Sequence, residues 1–101
     1  MEGRTFMITV NILYTGKGDS AIKFSEEMIE KGIVEKIKLE EGNLRYEYFT
    51  SLEDKNSILL VDTWKDEKSI DLHHKSEMMK VISKLRKKYQ LKMKVTKFKE
   101  I

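Results

Sequence analysis

The sequence contains no cysteine, and this absence excludes several kinds of chemistry at once. Disulfides, thiolate metal sites, iron–sulfur clusters and cysteine nucleophiles all require a thiol. Histidine is almost as scarce, because the chain has only two, adjacent at His73 and His74. A cage of several histidines around a metal ion is therefore not expected, and we predict no metal site.

Cofactor-binding motifs are missing as well. Gly16-Lys17-Gly18 follows a strand-like segment, but it lacks the last glycine of G-x-G-x-x-G and the G-K-[ST] of a phosphate-binding loop. The sequence has no G-x-S-x-G and no H-E-x-x-H. We expect residues 16–18 to form a turn and the protein to need no cofactor.

Long hydrophobic runs are also absent. Every apolar segment falls well short of the about 20 residues that a membrane-spanning helix needs. Residues 1–3 carry neither the basic region nor the small-residue cleavage site of a secretion signal. We therefore expect a cytoplasmic protein with no membrane partner.

What is present is a chain of 101 residues, of which 40% are hydrophobic and 37% are charged. This length accommodates one core, and we assign residues 4–101 to a single domain. The net charge is only +3, yet residues 84–101 hold eight Lys or Arg and one Glu. We interpret this basic segment as a solvated helix face and an edge strand, since lysine discourages pairing between sheet edges.

The spacing of apolar residues predicts the secondary structure. Alternation predicts four strands, over residues 6–14, 44–52, 58–64 and 91–98. Helical spacing predicts a helix over residues 20–37 that Gly32 interrupts, a short helix over 66–74 and a helix from residue 76. The predicted N-cap residues are Asp19 or Ser20, Asp66 and Ser76.

The resulting order is β-α-β-β-α-β, with the second helix in two pieces. This order is typical of an α+β, ferredoxin-like sandwich, a four-stranded antiparallel sheet with helices on one face. The first strand is apolar on both faces, and the second carries Tyr46 and Tyr48 opposite Phe49. A chain this short cannot cover the second face, so we predict a homodimer in which two sheets pack face to face.

Three short segments form a recognisable series. Residues 41–47 read E-G-N-L-R-Y-E, residues 60–67 read L-V-D-T-W-K-D-E, and residues 72–76 read L-H-H-K-S. In order and interval they resemble the antibiotic biosynthesis monooxygenase-like family. That family has an E-G-x-x-x-[YF]-[ED] strand, then an [ED]-x-W-x-[DS] strand end, then a helix with a histidine.

The resemblance implies a homodimeric α/β barrel with a small-molecule pocket between the sheet and helices of each subunit. It also implies a monooxygenase that needs neither metal nor flavin. An electron-rich aromatic substrate, a quinol or polyphenol, reduces O₂ itself once it has lost a proton. The protein then holds the ring, orients O₂ and favours the deprotonated substrate in a dry site.

By the same resemblance, the candidate catalytic residues are Asn11, Trp64 and His73. Asn11 matches a position that hydrogen-bonds the substrate oxygen. Trp64 can stack on a flat ligand, and His73 is the candidate base because imidazole titrates near neutrality. Each residue also has a structural interpretation, as an Asn bonded to backbone, a core Trp and a capping or surface His.

The candidate substrate-binding residues are Tyr46, Asp62, His74 and Met78. Met78 stands where many quinol-type relatives have a second histidine, so no relay of two histidines is predicted. His74 is a poor substitute, because adjacent residues of a helix point about 100° apart. For Asp62 we expect a structural pair with Arg45 across the hairpin, and a place in the pocket is the alternative.

Other functions stay open. The E-E-G-N-L-R run of residues 40–45 is also similar to relatives that isomerise a small phosphorylated molecule. A third possibility is a dimeric binding module that has lost its chemistry. Haem degradation is not expected, because Ser83 stands where that branch has a histidine. RNA binding is not expected either, since RNA recognition modules stack bases on aromatic residues of a third strand that is aliphatic here.

Overall fold

The computed structural model describes residues 6–100 and contains four strands and four helices. The strands are β1 (Ile8–Thr15), β2 (Asn43–Thr50), β3 (Ser57–Trp64) and β4 (Lys92–Lys99). The helices are α1 (Ser20–Glu30), α2 (Ile33–Lys38), α3 (Glu67–His74) and α4 (Glu77–Lys88). All predicted elements are present within a few residues of their predicted bounds. The two ends of the predicted domain, and the expectation about residues 1–3, lie outside the described residues.

The sheet has the strand order β2-β3-β1-β4, and each neighbouring pair is antiparallel. This confirms the ferredoxin-like α+β fold. The register aligns Tyr46, Asp62, Val10 and Lys97 in one row across the four strands. Since residues in register point to the same face, this row and its alternate neighbours form the face that packs on the helices.

The core lies between that face and the helices. Phe24 of α1 is fully buried, and its ring contacts Tyr14, Tyr48 and Tyr89 at centroid distances of 4.9, 6.3 and 6.4 Å. The two edge-on contacts with Tyr48 and Tyr89 are a favoured geometry for aromatic pairs. Tyr14 of β1 and Tyr48 of β2 thus hold α1 on the sheet, and Tyr89 packs on Phe24 from the end of α4.

The opposite side of the sheet, which we call the open face, carries no helix. It presents Leu13, Phe49 and Phe98, which are between 37% and 51% exposed. Leu59 and Val61 of β3 lie on the same face, beside Phe49 and Glu47 in the register. No segment of residues 6–100 covers these side chains. The homodimer with two sheets packed face to face remains a prediction.

Glycine and one capping residue define the helix boundaries as predicted. Gly32 has a φ of 72°, a left-handed conformation that ends α1 and separates it from α2. Asp66 caps α3, because its Oδ1 accepts hydrogen bonds from the backbone N–H and the hydroxyl of Ser69, at 2.9 and 2.7 Å.

Asp19 and Ser76 occupy the predicted N-cap positions of α1 and α4, but neither makes a capping hydrogen bond through its side chain. The Ser20 and Ser76 hydroxyls instead donate to the carbonyls of Lys17 and His73, at 2.6 and 2.7 Å. A hydroxyl that bonds a carbonyl three residues earlier closes a turn but leaves the helix N–H groups to other partners.

Candidate functional site

A cavity of about 280 Å³ lies between the sheet and the two C-terminal helices, α3 and α4. Alternate residues of β1, β3 and β4 form its floor, and side chains of α3 and α4 form its roof. Its walls are mostly apolar, with a few polar groups at the two ends. Every residue of β4 is exposed, so the cavity opens along this edge strand.

Five of the predicted site residues line this cavity, namely Tyr46, Asp62, Trp64, His73 and His74. The rings of Trp64 and His73 stack at a centroid distance of 4.8 Å with an angle of 32° between their planes. His74 lies 6.0 Å from His73, centroid to centroid. Both Trp64 and His73 are buried. They form one end of the cavity, which we call the Trp64 end.

Glu40, at the turn after α2, orients His73. The Nδ1 atom of His73 lies 2.7 Å from the Glu40 Oε1. Burial lowers the pKa of His73, although the hydrogen bond that it makes to the Glu40 carboxylate opposes this shift. A neutral ring therefore donates its Nδ1–H to Glu40 and keeps Nε2 as the nitrogen that can accept a proton. Glu40 could not be predicted from local sequence, because its contact with His73 spans 33 residues.

Asp62 brings a carboxyl into the cavity. It is only 5% exposed, and its Oδ1 has no hydrogen-bond partner within the described chain. Burial raises its pKa from 3.8 to about 7, and the Trp64 side chain, by hydrogen bonding, opposes this shift. The negative charge of Glu40 adds a smaller increase. A carboxyl of this kind can accept or release a proton near neutral pH.

The predicted pair of Asp62 with Arg45 is wrong. The hairpin register places Asp62 opposite Tyr46 and Arg45 opposite Thr63. Because neighbouring strand residues point to opposite faces, Arg45 lies on the open face and Asp62 faces the helices. The Arg45 Nε instead donates to Glu47 Oε1, at 2.7 Å.

Asn11 does not lie in the cavity. It is opposite Val61 and Thr96 in the register, on the open face, so the sheet separates it from Trp64 and His73. Its Oδ1 is buried without a hydrogen-bond partner among residues 6–100. The expectation that Asn11, Trp64 and His73 surround one ligand within a subunit therefore does not agree with the geometry.

Met78 does not line the cavity, whereas its neighbour Met79 does. Both side chains are partly buried against the core. The two residues differ by about 100° around the helix axis, so only one of them can face the ligand space. The prediction that Met78 binds substrate therefore does not agree with the geometry of the cavity.

The opposite end of the cavity contains residues outside the predicted site. Arg86 of α4 donates from Nη1 to the Met93 Sδ of β4, at 3.0 Å. No carboxylate of the described residues lies within ion-pair distance of it. Tyr14 lies at this end too, where burial raises its pKa to about 12 and the charge of Arg86 opposes the rise. We call this the Arg86 end.

A signal for Arg86 was present in the sequence. Met79, Ile82, Ser83 and Arg86 recur at i, i+3, i+4 and i+7, and all four line the cavity. A charged residue that continues a stripe of cavity-lining residues is a departure from pattern, and it distinguishes the half-buried Arg86 from the exposed Lys84, Lys87 and Lys88 of the same helix.

The described part of the chain has no group of three or more His, Cys, Asp or Glu side chains that could hold a metal ion. It also has no helix of the length and apolarity that crossing a membrane requires.

The fold and the cavity together define a ferredoxin-like α+β domain with an internal, ligand-sized site that holds an oriented imidazole and a buried carboxyl. The chain belongs to the antibiotic biosynthesis monooxygenase family, whose model matches residues 7–85. A comparison with curated proteins finds no match.

Solved structures with the same fold come from several microorganisms. A conserved protein of Bacteroides thetaiotaomicron has 21% identity and a TM-score of 0.78 and covers 96% of this chain and 100% of its own. A conserved protein of Methanosarcina mazei has 24% identity and a TM-score of 0.75, covering 93% and 92%. SnoaB, a cofactor-independent oxygenase of Streptomyces nogalater, has 13% identity and a TM-score of 0.76, covering 92% and 91%. At these identities the likeness establishes the fold alone.

Proposed function

We propose that the protein is a monooxygenase that acts without a cofactor on a small electron-rich aromatic substrate, a quinol or polyphenol. The family supports the reaction class, and SnoaB shows that this fold is compatible with such chemistry. The observation on which the proposal depends is Asp62, a buried carboxyl with a pKa near 7 in an apolar cavity beside Trp64 and His73.

The first step is removal of a proton from a substrate hydroxyl. Asp62 is the base, because its Oδ1 faces no competing donor among the described residues and its pKa suits work near neutral pH. The phenolate formed is a stronger electron donor than the phenol, and the apolar walls keep water from solvating it. Trp64, with His73 stacked on it, confines the ring at this end of the cavity.

The phenolate then reduces O₂. One electron passes from the substrate to O₂, the two radicals combine at a ring carbon, and a carbon–oxygen bond forms. Loss of water from the resulting hydroperoxide completes the reaction. For a hydroquinone the sum is hydroquinone plus O₂ giving hydroxyquinone plus one water. His73, held by Glu40 through Nδ1, exchanges the second proton through Nε2.

Oxygen uptake with a panel of quinols tests this proposal. We expect substrate-dependent uptake by the wild type and incorporation of one atom from ¹⁸O₂ into the product. Asp62→Asn should lower kcat/KM by about 100-fold or more, the usual effect of losing a general base. Asp71→Asn, on the exposed side of α3, is the control and should leave the rate unchanged. Equal rates for the two variants would refute the role of Asp62.

His73 is tested separately. His73→Gln keeps an amide that can bond Glu40, and it should slow uptake less than His73→Ala does, while His73→Ala should also weaken stability. Full activity in both variants would remove His73 from the mechanism. If no quinol supports uptake by the wild type, the oxygenase proposal itself fails.

Isomerisation of a small phosphorylated molecule is the second candidate. The same observation favours it, because a carboxyl with a pKa near 7 can move a proton between adjacent carbons without O₂. Product formation under anaerobic conditions distinguishes the two reactions. The cavity is not filled by side chains, and this favours both enzymatic candidates over a catalytically silent binding module.

We also propose that the working unit is a homodimer formed through the open face. The exposed Leu13, Phe49 and Phe98 support it, because apolar side chains gathered on one face of a sheet are the usual mark of an interface. The cavity lies on the other side of the sheet and stays accessible in such an assembly.

A further inference from the structure

The proposed reaction uses the Trp64 end of the cavity and leaves the Arg86 end without a role. Arg86 reaches the cavity wall from α4, but its one hydrogen bond among the described residues goes to the thioether of Met93. A thioether is a weak acceptor and carries no charge. The guanidinium therefore has donors, and a positive charge, that no described group satisfies.

The two ends are well separated. Asp62 lies opposite Val10 of β1, and Met93 lies opposite Tyr14 of the same strand. Val10 and Tyr14 are four residues apart on this extended strand, so the two ends of the cavity are separated by about 13 Å. The cavity thus has a proton-accepting carboxyl at one end and an unpaired cation at the other, with apolar walls between them.

The surroundings of Arg86 also suit an anion. Ser83 lies three residues earlier on α4 and lines the same cavity, so its hydroxyl is a donor on the same helix face. A shallow groove adjoins the cavity and shares His74, Met79 and Ser83 with it. This groove adds four lysines, Lys75, Lys80, Lys84 and Lys87. Clustered cations of this kind raise the local concentration of negatively charged ligands.

We infer that the substrate carries a carboxylate or a phosphate, remote from its reacting ring, and that Arg86 binds this group. A guanidinium matches both oxyanions through two parallel hydrogen bonds. Ser83 adds a third donor, and the lysine groove guides the anion to the cavity. The inference rests on the proposed function for the position of the ring, and it makes Arg86 the residue that selects anionic over neutral aromatics.

Binding can be measured without turnover. Trp64 is the only tryptophan of the chain and lines the cavity, so quenching of its fluorescence reports occupancy. The matched probes are 2-naphthol and 6-hydroxy-2-naphthoate, which share a ring hydroxyl and differ by a carboxylate at the far end. A third probe, 6-hydroxy-2-naphthyl phosphate, separates the two oxyanions. None of these monohydroxy rings is a quinol.

We expect the wild type to bind at least one of the anionic probes tenfold or more tightly than 2-naphthol, and the tighter of the two identifies the oxyanion. Arg86→Met should remove this preference and change the affinity for 2-naphthol less than twofold. Arg86→Lys should keep part of the preference. Lys68→Met, an equal change of charge at an exposed position of α3, is the control and should keep all of it.

Three results would overturn the inference: equal binding of all three probes, a preference that survives Arg86→Met, or an equal loss in Lys68→Met. Circular dichroism and thermal unfolding confirm that each variant is folded. The outcome is independent of the oxygenase assay. If the protein selects anionic probes but consumes no oxygen, the anion site is supported and the proposed reaction is refuted. If it consumes oxygen but does not select anionic probes, the reaction is supported and the anion site is refuted.

Discussion

At the scale of single residues, Asp62 links proton transfer to stability. Burial raises its pKa from 3.8 to about 7, so between these pH values the folded protein holds a proton that the unfolded chain has released. The contribution of this group to stability is therefore fully present below about pH 4. It decreases as the pH rises and is lost above about pH 7.

Asp62→Asn removes this titration and gives a first stability test. Between pH 5 and pH 8.5 the free energy of unfolding of the wild type should fall by about 2 to 3 kcal/mol more than that of the variant, since each pKa unit corresponds to about 1.4 kcal/mol. Urea unfolding at the two pH values measures the difference. Parallel pH profiles would show that Asp62 is solvated in the folded protein.

Glu40 provides a second test at this scale. Its hydrogen bond to Nδ1 raises the pKa of His73 against the larger lowering effect of burial. Glu40→Gln should therefore lower the pKa of His73 further. NMR titration of the His73 ring protons measures this shift. Glu41→Gln changes the adjacent carboxylate, which pairs with Lys65 on the surface, and should leave the titration of His73 unaltered.

The sequence predicted part of this site. Trp64, His73, His74 and Tyr46 were selected from motif positions, and the structure brings them to one cavity. The position of Asn11 could not be settled in the same way, because a motif match gives a residue and not the face of the strand on which it lies. Arg86 is hard to single out from the sequence, because it is one of eight Lys or Arg residues within residues 84–101.

At the scale of secondary structure, alternation and helical spacing were sufficient to predict the order of the elements. Residues of β1 and β3 are strongly apolar, and such runs leave few alternatives to a buried strand. The register of the hairpin could not be predicted. The register that runs from the loop places Tyr46 opposite Asp62, and a bulge between Asn43 and Arg45 then shifts the pairing so that Asn43 lies opposite Trp64. Ser76 lies at the N-cap of α4, but its hydroxyl bonds the His73 carbonyl instead of a helix N–H. This choice depends on loop geometry that local sequence does not specify.

Gly42 gives the test at this scale. It has a φ of 85°, and a Cβ there would lie 2.0 Å from the Ser69 Oγ. Gly42→Ala should lower the free energy of unfolding by more than about 2 kcal/mol, because strain and a clash act together. Gly18→Ala is the matched control, with a φ of 58° and no atom within 4 Å of the added Cβ. It should cost only about 1 kcal/mol in urea unfolding.

At the scale of the whole molecule, the open face carries apolar side chains that no segment of residues 6–100 covers. Leu13 is 39% exposed at the middle of this face, between β3 and β4. A carboxylate at this position would be costly in a dimer, where the face is buried, because burial removes its water, and it would be tolerated in a monomer, where the face stays solvated and Lys94 lies opposite.

Leu13→Glu should therefore convert a dimer to a monomer in sedimentation at micromolar concentration. Leu52→Glu is the control, because Leu52 is fully exposed in the loop after β2 and should leave the dimer intact. A wild-type protein that sediments as a monomer would contradict the proposed assembly through this face.

The alternation of β1 has a consequence for how such proteins diverge. Val10, Ile12 and Tyr14 touch the ligand space, while Thr9, Asn11 and Leu13 lie on the face proposed for pairing. One strand thus carries two independent sets of positions, interleaved residue by residue. If the proposed dimer forms through the open face, substitutions in the first set would alter the cavity without altering the interface, so the cavity and the assembly could change independently.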